Sequence, residues 1–387
     1  MDDSMNNYML AKLEAQILQS IAYQNAGDYS LALDGYEHAF EALYFYEKFG
    51  CEQKKVEHAW RLVLEAQTHQ ALVLFFHGLI QYHRSEYRSA AAAAYSAILL
   101  KPEVAFHYFL LARSLNALAD YSGAQTAYER AEELAPGSGI AKEGLFSIAC
   151  EQQMPGDDYY AWLQHFHQWL KPADYVEIGI GHGRSLALAG PGTKTIGIDP
   201  FQGYWEKLDF VCPHGPAKLF PLTSDDFFRQ YDLREVLGRD TFDLAFIDGM
   251  HLFEQALKDF INLEKYARKD SVILIHDCLP IAPIVAERER CTGFWTGDVW
   301  RIIPCLKAFR PDLKIMTIPA KPSGLGVVTN LDPTSTALSD NYDVIVGYYL
   351  ALRCPERFDQ QRVISSVGLY DEEYVKTNFC SMDMPTA

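Results

Sequence analysis

The chain has 387 residues, enough for two or three domains of ordinary size. With 49% hydrophobic and 22% charged residues it is globular in composition, which excludes a largely disordered chain. Its 51 acidic against 34 basic residues leave a formal charge of −17, which repels phosphate backbones and anionic membranes, so no nucleic-acid partner is expected.

The N-terminus carries neither a basic stretch nor a continuous apolar run, so no secretory signal is expected. The longest alanine-rich run, residues 89–100, is too short to span a membrane. The eight cysteines are scattered and form no CxxC pair, which reads as reduced thiols in a cytoplasmic protein.

Residues 1–150 read as helix throughout, with alanines and aromatics at helical spacing. Pro102 and Pro136, 34 residues apart, point to an internal repeat. Tripeptides at 27–29, 85–87 and 119–121 align, with alanines five positions on (Ala32, Ala90, Ala124) and twelve positions on (Ala39, Ala97, Ala131). Tyr36, Ala94 and Tyr128 occupy the position nine residues on. The spacing resembles the tetratricopeptide repeat, and it places units at 13–46, 71–104 and 105–138, with an extra helix over 47–70. Such repeats present grooves to protein partners or to a second copy of the chain. His69, His77, His83 and His107 lie on helical faces and read as packing or surface residues.

Near Pro155 the texture changes. A helix over 157–170 precedes short Val/Ile-rich runs at 175–180, 195–199, 242–248, 271–277, 314–319 and 325–330. A further strand is expected at 218–222. Helical stretches separate the early runs, which predicts βαβ units and a mostly parallel sheet. Only six residues, 320–325, join the last two, so these form an antiparallel hairpin. The fold class is therefore α followed by α/β: a helical repeat domain over 1–150, a Rossmann-like sheet ending in a hairpin over 151–330, and an extension over 331–387 that carries a helix near 340–353.

The first of these strands runs into Gly179-x-Gly181-x-Gly183, with a helix expected over 184–189. Glycines there permit a tight turn and close approach of a ligand to the backbone. The dinucleotide fingerprint GxGxxG would need glycine where Arg184 stands, so a nicotinamide oxidoreductase is disfavoured. GxGxG with Glu177 just before it resembles motif I of the class I S-adenosylmethionine-dependent methyltransferases. That resemblance implies S-adenosylmethionine as cofactor, contacted by Glu177, Gly179, Gly181, Gly183 and Asp199 at the second strand tip. It places Asp225 beside the adenine; the competing reading of Asp225 is a helix cap.

Open α/β sheets bind ligands at the carboxyl ends of their strands. The fourth and fifth strands end in Asp248-Gly-Met-His251 and His276-Asp277, so these four ionisable groups are the catalytic candidates. FIDGxH followed by IHD resembles a branch containing sugar and small-molecule O-methyltransferases and cephalosporin-hydroxylase-like proteins. The resemblance implies methylation of a hydroxyl on a sugar or other small molecule, with His276 or His251 as general base. Relatives with a divalent metal hold it on acids at these tips, which would be Asp248, His276 and Asp277 here; the histidine departs from that all-oxygen pattern and leaves either a softer metal than Mg²⁺ or no metal. Thr296–Arg301 resembles a stretch that closes over the substrate, with Asp298 read first as the N-cap of the following helix. Arg288, Arg290 and Arg301 are candidate clamps for an acidic substrate. Two other readings stay open: a scaffold whose methyltransferase fold is catalytically idle, and a protein methyltransferase whose repeats recruit the polypeptide.

Overall fold

The computed structural model describes residues 15, 18–20, 22–23, 70–136, 140–154, 156–200 and 217–355. By contact density the chain divides into two units, Met1–Ile148 and Ala149–Ala387. Apart from those few early positions, the expected unit at 13–46 and helix at 47–70 lie outside the described residues, as does the tail beyond 355. His69, Cys51, Cys212 and Cys380 fall there too.

In the first unit, α1 (Gln70–His83), α2 (Tyr87–Leu100), α3 (Ala105–Ala117) and α4 (Tyr121–Leu134) form two helix–turn–helix pairs; α5 (Ile140–Gln153) follows, and the boundary between the units falls within it. Each pair turns on a left-handed residue, Ser85 (φ 62°) and Ala119 (φ 60°), at equivalent positions of the 34-residue period. The repeated alanines Ala90, Ala97, Ala124 and Ala131 are all buried, which is why they are small. Gly78 serves the same end: a Cβ there would sit 2.9 Å from Leu110 and 3.1 Å from Ala93. Tyr128 packs edge-on to Phe109 at 5.7 Å, and its ring fills the space that a Cβ on Gly144 would need. His107 is buried, with Nδ1 3.1 Å from the Lys101 carbonyl, and His77 is exposed beside Gln81; both match the packing and surface reading.

The second unit is an open α/β sheet. It opens with α6 (Tyr159–Leu170), capped by the Asp158 carboxylate on the Ala161 amide. Strands β1 (Asp174–Ile178), β2 (Lys194–Ile198), β3 (Ala217–Phe220), β4 (Leu244–Ile247) and β5 (Val272–His276) are parallel, with β6 (Lys314–Ile318) and β7 (Leu325–Thr329) antiparallel at one end. The order is β3-β2-β1-β4-β5-β7-β6, so the expected hairpin inserts its second strand next to β5. Helices α7 (Ser224–Gln230), α8 (Leu233–Leu237), α9 (Phe253–Glu264), α10 (Ile302–Phe309) and α11 (Tyr342–Leu350) complete the described elements. Strands β1, β4, β5 and β7 are buried along their whole length, as the unbroken Val/Ile runs require when both faces are covered.

Strand reversal beside β1 creates the crevice where such sheets take ligands. The 331–355 segment is integrated with this unit: Ile345 and Tyr349 lie in its core, and Tyr342 donates to the Glu254 carbonyl at 2.9 Å. Among the described residues no helix is long and apolar enough to cross a membrane.

Candidate active site

The glycine loop follows β1 as expected, but the helix after it does not. Residues 186–188 make one 3₁₀ turn before Gly190-Pro191-Gly192, where proline forbids continuation. Gly179 (φ +87°) has no room for a side chain, because a Cβ would run into the Asp248 carbonyl. Gly181 (φ +51°) has open space where its Cβ would be. The loop is thus packed against the β4 tip at one end and open in the middle.

Two acids hold it. One oxygen of Asp199, expected as a cofactor contact, accepts from the amides of Ile180 (2.8 Å) and Gly181 (3.0 Å), so the carboxylate at the β2 tip shapes the loop. Glu177 is wholly buried; Tyr175 Oη donates to one of its oxygens at 2.7 Å and Ser185 Oγ to the other at 2.6 Å. Burial pushes its carboxyl up to about 8, against the lowering effect of those two hydrogen bonds. Glu177 therefore supports the loop from inside the sheet. Asp225 stands in the first turn of α7 and is bound by Gln255 (3.1 Å) and Lys258 (3.2 Å), which hold its carboxyl down despite partial burial. The cap of that helix is Thr223, whose hydroxyl accepts from the Asp226 amide.

The structure brings the four ionisable tips together. Asp277 Oδ2 lies 2.6 Å from His251 Nδ1, and Asp248 Oδ1 lies 3.7 Å from His251 Nε2. His276 Nδ1 is 3.1 Å from Asp248 Oδ1 and 3.3 Å from Asp277 Oδ1. His251 (φ 57°) and Asp277 (φ 60°) both occupy the left-handed region, a conformation that costs non-glycine residues and is kept where the side chain must be aimed. Burial works against a charge on His251, but the Asp277 carboxylate beside it prevails and raises the imidazole to about 9. Burial likewise opposes, and Asp277 and Asp248 overcome, so His276 is also raised. The two imidazoles outweigh burial at Asp277 and lower its carboxyl.

Asp248, His251 and Asp277 each offer one ligand atom, all within 4.8 Å of one another. His251 thus takes the place in this group that the sequence assigned to His276, because His276 turns its ring between Asp248 and Ser323. The donor set fits a divalent cation: His251 Nδ1 and Asp277 Oδ2 are buried and, close as they are, neither meets hydrogen-bond geometry with a partner. Two oxygens and one imidazole nitrogen suit a transition metal better than an all-oxygen Mg²⁺ site.

Several surrounding residues carry no sequence signal. Tyr159 lies over His276 with ring centres 4.1 Å apart, and Trp295 stacks on His251 at 5.2 Å and 11°. Ser323, from the β6–β7 turn, donates to Asp277 Oδ1 at 2.5 Å. Asp259 did have a signal, an acid on the apolar face of α9; burial pushes it up to about 7, and it lines the crevice below Gly249.

Within the 296–301 stretch, Asp298 does not cap the helix that follows it. Asp298 is wholly buried and makes no cap on its own helix; its Oδ1 accepts from the Phe253 amide at 2.7 Å, so it caps α9 from a distance. Gly297 (φ +56°) presses on the His251 backbone, leaving no space for a Cβ. Arg288 is occupied by Glu254 and Asp298, and Arg301 by Asp298 and the carbonyls of Tyr349 and Leu352, so neither is available to clamp a substrate. Arg290 is exposed and bonds the Thr292 and Gly293 carbonyls.

An open, mostly parallel sheet with a β-order of 3-2-1-4-5-7-6, a glycine loop after β1 and acids at the β2, β4 and β5 tips defines a ligand-binding α/β domain with its crevice at β1 and β4. Residues 176–278, from the first strand to just past the fifth, match the family model described as a methyltransferase domain. Solved structures similar to the chain include an O-methyltransferase from Bacillus cereus in complex with SAH (15% identity, 53% of this chain and 97% of that one, TM-score 0.34). Another is an SAH-bound methyltransferase from Podospora anserina (15% identity, 51% of this chain and 98% of that one, TM-score 0.35). A third is an O-methyltransferase from Streptomyces achromogenes in complex with SAM (14% identity, 48% of this chain and 89% of that one, TM-score 0.36). Likeness at that level does not transfer an activity. No curated protein matches the chain.

Proposed function

We propose that the second unit is an S-adenosylmethionine-dependent O-methyltransferase acting on a hydroxyl of a small molecule, a sugar or another hydroxylated metabolite. The observation that carries this reading is the contact between the glycine loop and the acidic–histidine cluster: Gly179 packs directly on Asp248, so a cofactor on the loop would present its methyl group beside Asp248 and His251. The methyltransferase-domain match over the same strands supports it.

In this reading the loop around Gly181 and the Asp199 tip bind the adenosyl moiety, and the acidic surroundings suit a sulfonium cation. The acceptor oxygen forms a bond to the methyl carbon as the carbon–sulfur bond breaks, its electron pair passing to sulfur. The hydroxyl proton leaves to an imidazole of the cluster, with a carboxylate orienting the ring. A divalent cation held by Asp248, His251 and Asp277 would be the alternative to that imidazole base: it would lower the pKa of the acceptor hydroxyl, so that the proton could pass to solvent, and neutralise the two carboxylates. The helix pairs over 70–134 support a tetratricopeptide-type module, which we assign to binding a protein partner or a second copy; the 34-residue period with buried alanines favours it. A cytoplasmic setting fits the buried Cys150, Cys278 and Cys305, none of which forms a disulfide.

Calorimetry with S-adenosylhomocysteine tests the cofactor assignment. Micromolar binding is expected, and absence of heat at millimolar ligand would sink the assignment. Asp248→Ala should retain that binding within a few-fold and lower methyl transfer at least a hundredfold. If the variant keeps the cellular function of the parent, the fold is catalytically idle and the helical unit does the work.

A further inference from the structure

We propose that Ser323 is a positioning residue of this site, so that the β6–β7 turn at the antiparallel end of the sheet belongs to the catalytic apparatus. The inference rests on the methyl-transfer reading for its consequence but on hydrogen-bond geometry for its existence. Ser323 is wholly buried, 46 residues beyond Asp277 in sequence, and its hydroxyl donates to Asp277 Oδ1 at 2.5 Å. The backbone fixes the same approach: the Leu279 amide donates to the Ser323 carbonyl at 2.6 Å. Gly324 (φ +79°) follows, and a Cβ on it would lie 2.7 Å from the Leu279 side chain. The turn is thus latched to the chain just after the β5 tip by main chain and side chain together.

A hydroxyl has one hydrogen, and Ser323 spends it on Asp277. Toward His276 Nε2, 3.3 Å away, its oxygen can only accept, so that ring nitrogen must carry a hydrogen and donate. His276 Nε2 is then committed to Ser323, and its Nδ1 faces the Asp248 carboxylate at 3.1 Å. Neither nitrogen of His276 is left to receive a proton from an acceptor molecule. Ser323 also decides which oxygen of Asp277 serves the site: with Oδ1 taken, Oδ2 is the one directed at His251. His276 and Ser323 therefore orient Asp248 and Asp277, and His276 acts as a positioning group and not as the acceptor of the hydroxyl proton.

Long-range ¹H–¹⁵N spectra of the full chain, labelled on histidine and free of added metal, test this without reference to activity. In the parent the His276 Nε2 resonance should fall in the protonated range. Ser323→Ala should shift the His276 and His251 ring resonances while leaving His107 in place, and Ser323→Thr, which keeps the hydroxyl, should restore them. A Ser323→Ala spectrum identical to the parent at His276 and His251, or an unprotonated His276 Nε2 in the parent, overturns the proposal. Ser323→Cys, close to serine in volume, gives the same reading if the alanine variant fails to fold. As a second measure, Mn²⁺ affinity should fall about tenfold in Ser323→Ala, the usual effect of losing a hydrogen bond to a metal-binding carboxylate, with S-adenosylhomocysteine affinity unchanged. A parent that binds neither Mn²⁺ nor S-adenosylhomocysteine would refute the functional reading, and the ring spectra would still decide the role of Ser323.

Discussion

Single residues of the loop differ in what they permit. Gly179 and Gly181 share a left-handed backbone, but only Gly179 is closed off, by the Asp248 carbonyl. Alanine at Gly181 should cost about 1–2 kcal/mol, the penalty for a side chain in that conformation. Alanine at Gly179 carries the same penalty and must also displace the β4 tip, so it should lower stability further and weaken S-adenosylhomocysteine binding at least tenfold. Urea denaturation of both variants with matched calorimetry checks this; equal effects would show that the loop does not lean on Asp248. The strained residues His251 and Asp277 obey the same logic from the opposite side, since each accepts an unfavourable backbone to aim a side chain.

At the scale of elements, the site depends on how α9 is started. No local residue caps it: the N-cap position is Leu252, and the acceptor is Asp298, 45 residues away. The same carboxylate receives Arg288 at 2.6 Å and lies 3.2 Å from Arg301, so one buried acid joins the helix, the loop that presses on His251, and the carbonyls before and after the end of α11. Asp298→Ala would leave a buried guanidinium and an amide without their acceptor, a loss of about 3–5 kcal/mol. Its expected signature is a lower urea midpoint with an unchanged slope. A loss below about 1 kcal/mol would mean that Glu254 alone suffices for Arg288.

For the whole molecule, pH acts on the two units through different buried groups. His107 in the helical unit is pushed by burial down to about 4, so its folded form binds fewer protons, and stability is lost as pH falls from 6.5 toward 4. Glu177 in the second unit is pushed by burial up to about 8, so its folded form binds more protons than the unfolded chain. Its contribution is intact below 4.5 and is lost as pH rises toward 8. Glu177→Gln removes that loss, so its stability relative to the parent should climb across the same interval. Thermal melts at half-unit pH steps test this, and a pH-independent difference would refute it. The two groups pull in opposite directions, which favours a stability maximum on the mildly acid side of neutrality.

The sequence by itself determined the order of the elements, because burial on both faces of a parallel sheet leaves unbroken Val/Ile runs and a six-residue link leaves room only for a hairpin. The 34-residue spacing determined the helix pairs for the same kind of reason: close-packed helices need small residues at fixed intervals. The strand tips were legible because ligand sites lie at the carboxyl ends of parallel strands, so Asp248, His251, His276 and Asp277 could be named from position alone. Which imidazole joins the carboxylates, and which turns away, was not legible. That choice is made by Ser323 and Gly297, which reach the tips from other parts of the chain, and by Tyr159 and Trp295, which cover the rings. Nor could Asp298 be recognised as the cap of a helix far earlier in the chain, or Glu177 as a buried brace. Local pattern records how each segment meets water and its own backbone; contacts between segments distant in sequence leave no period to read, and here they orient the chemistry.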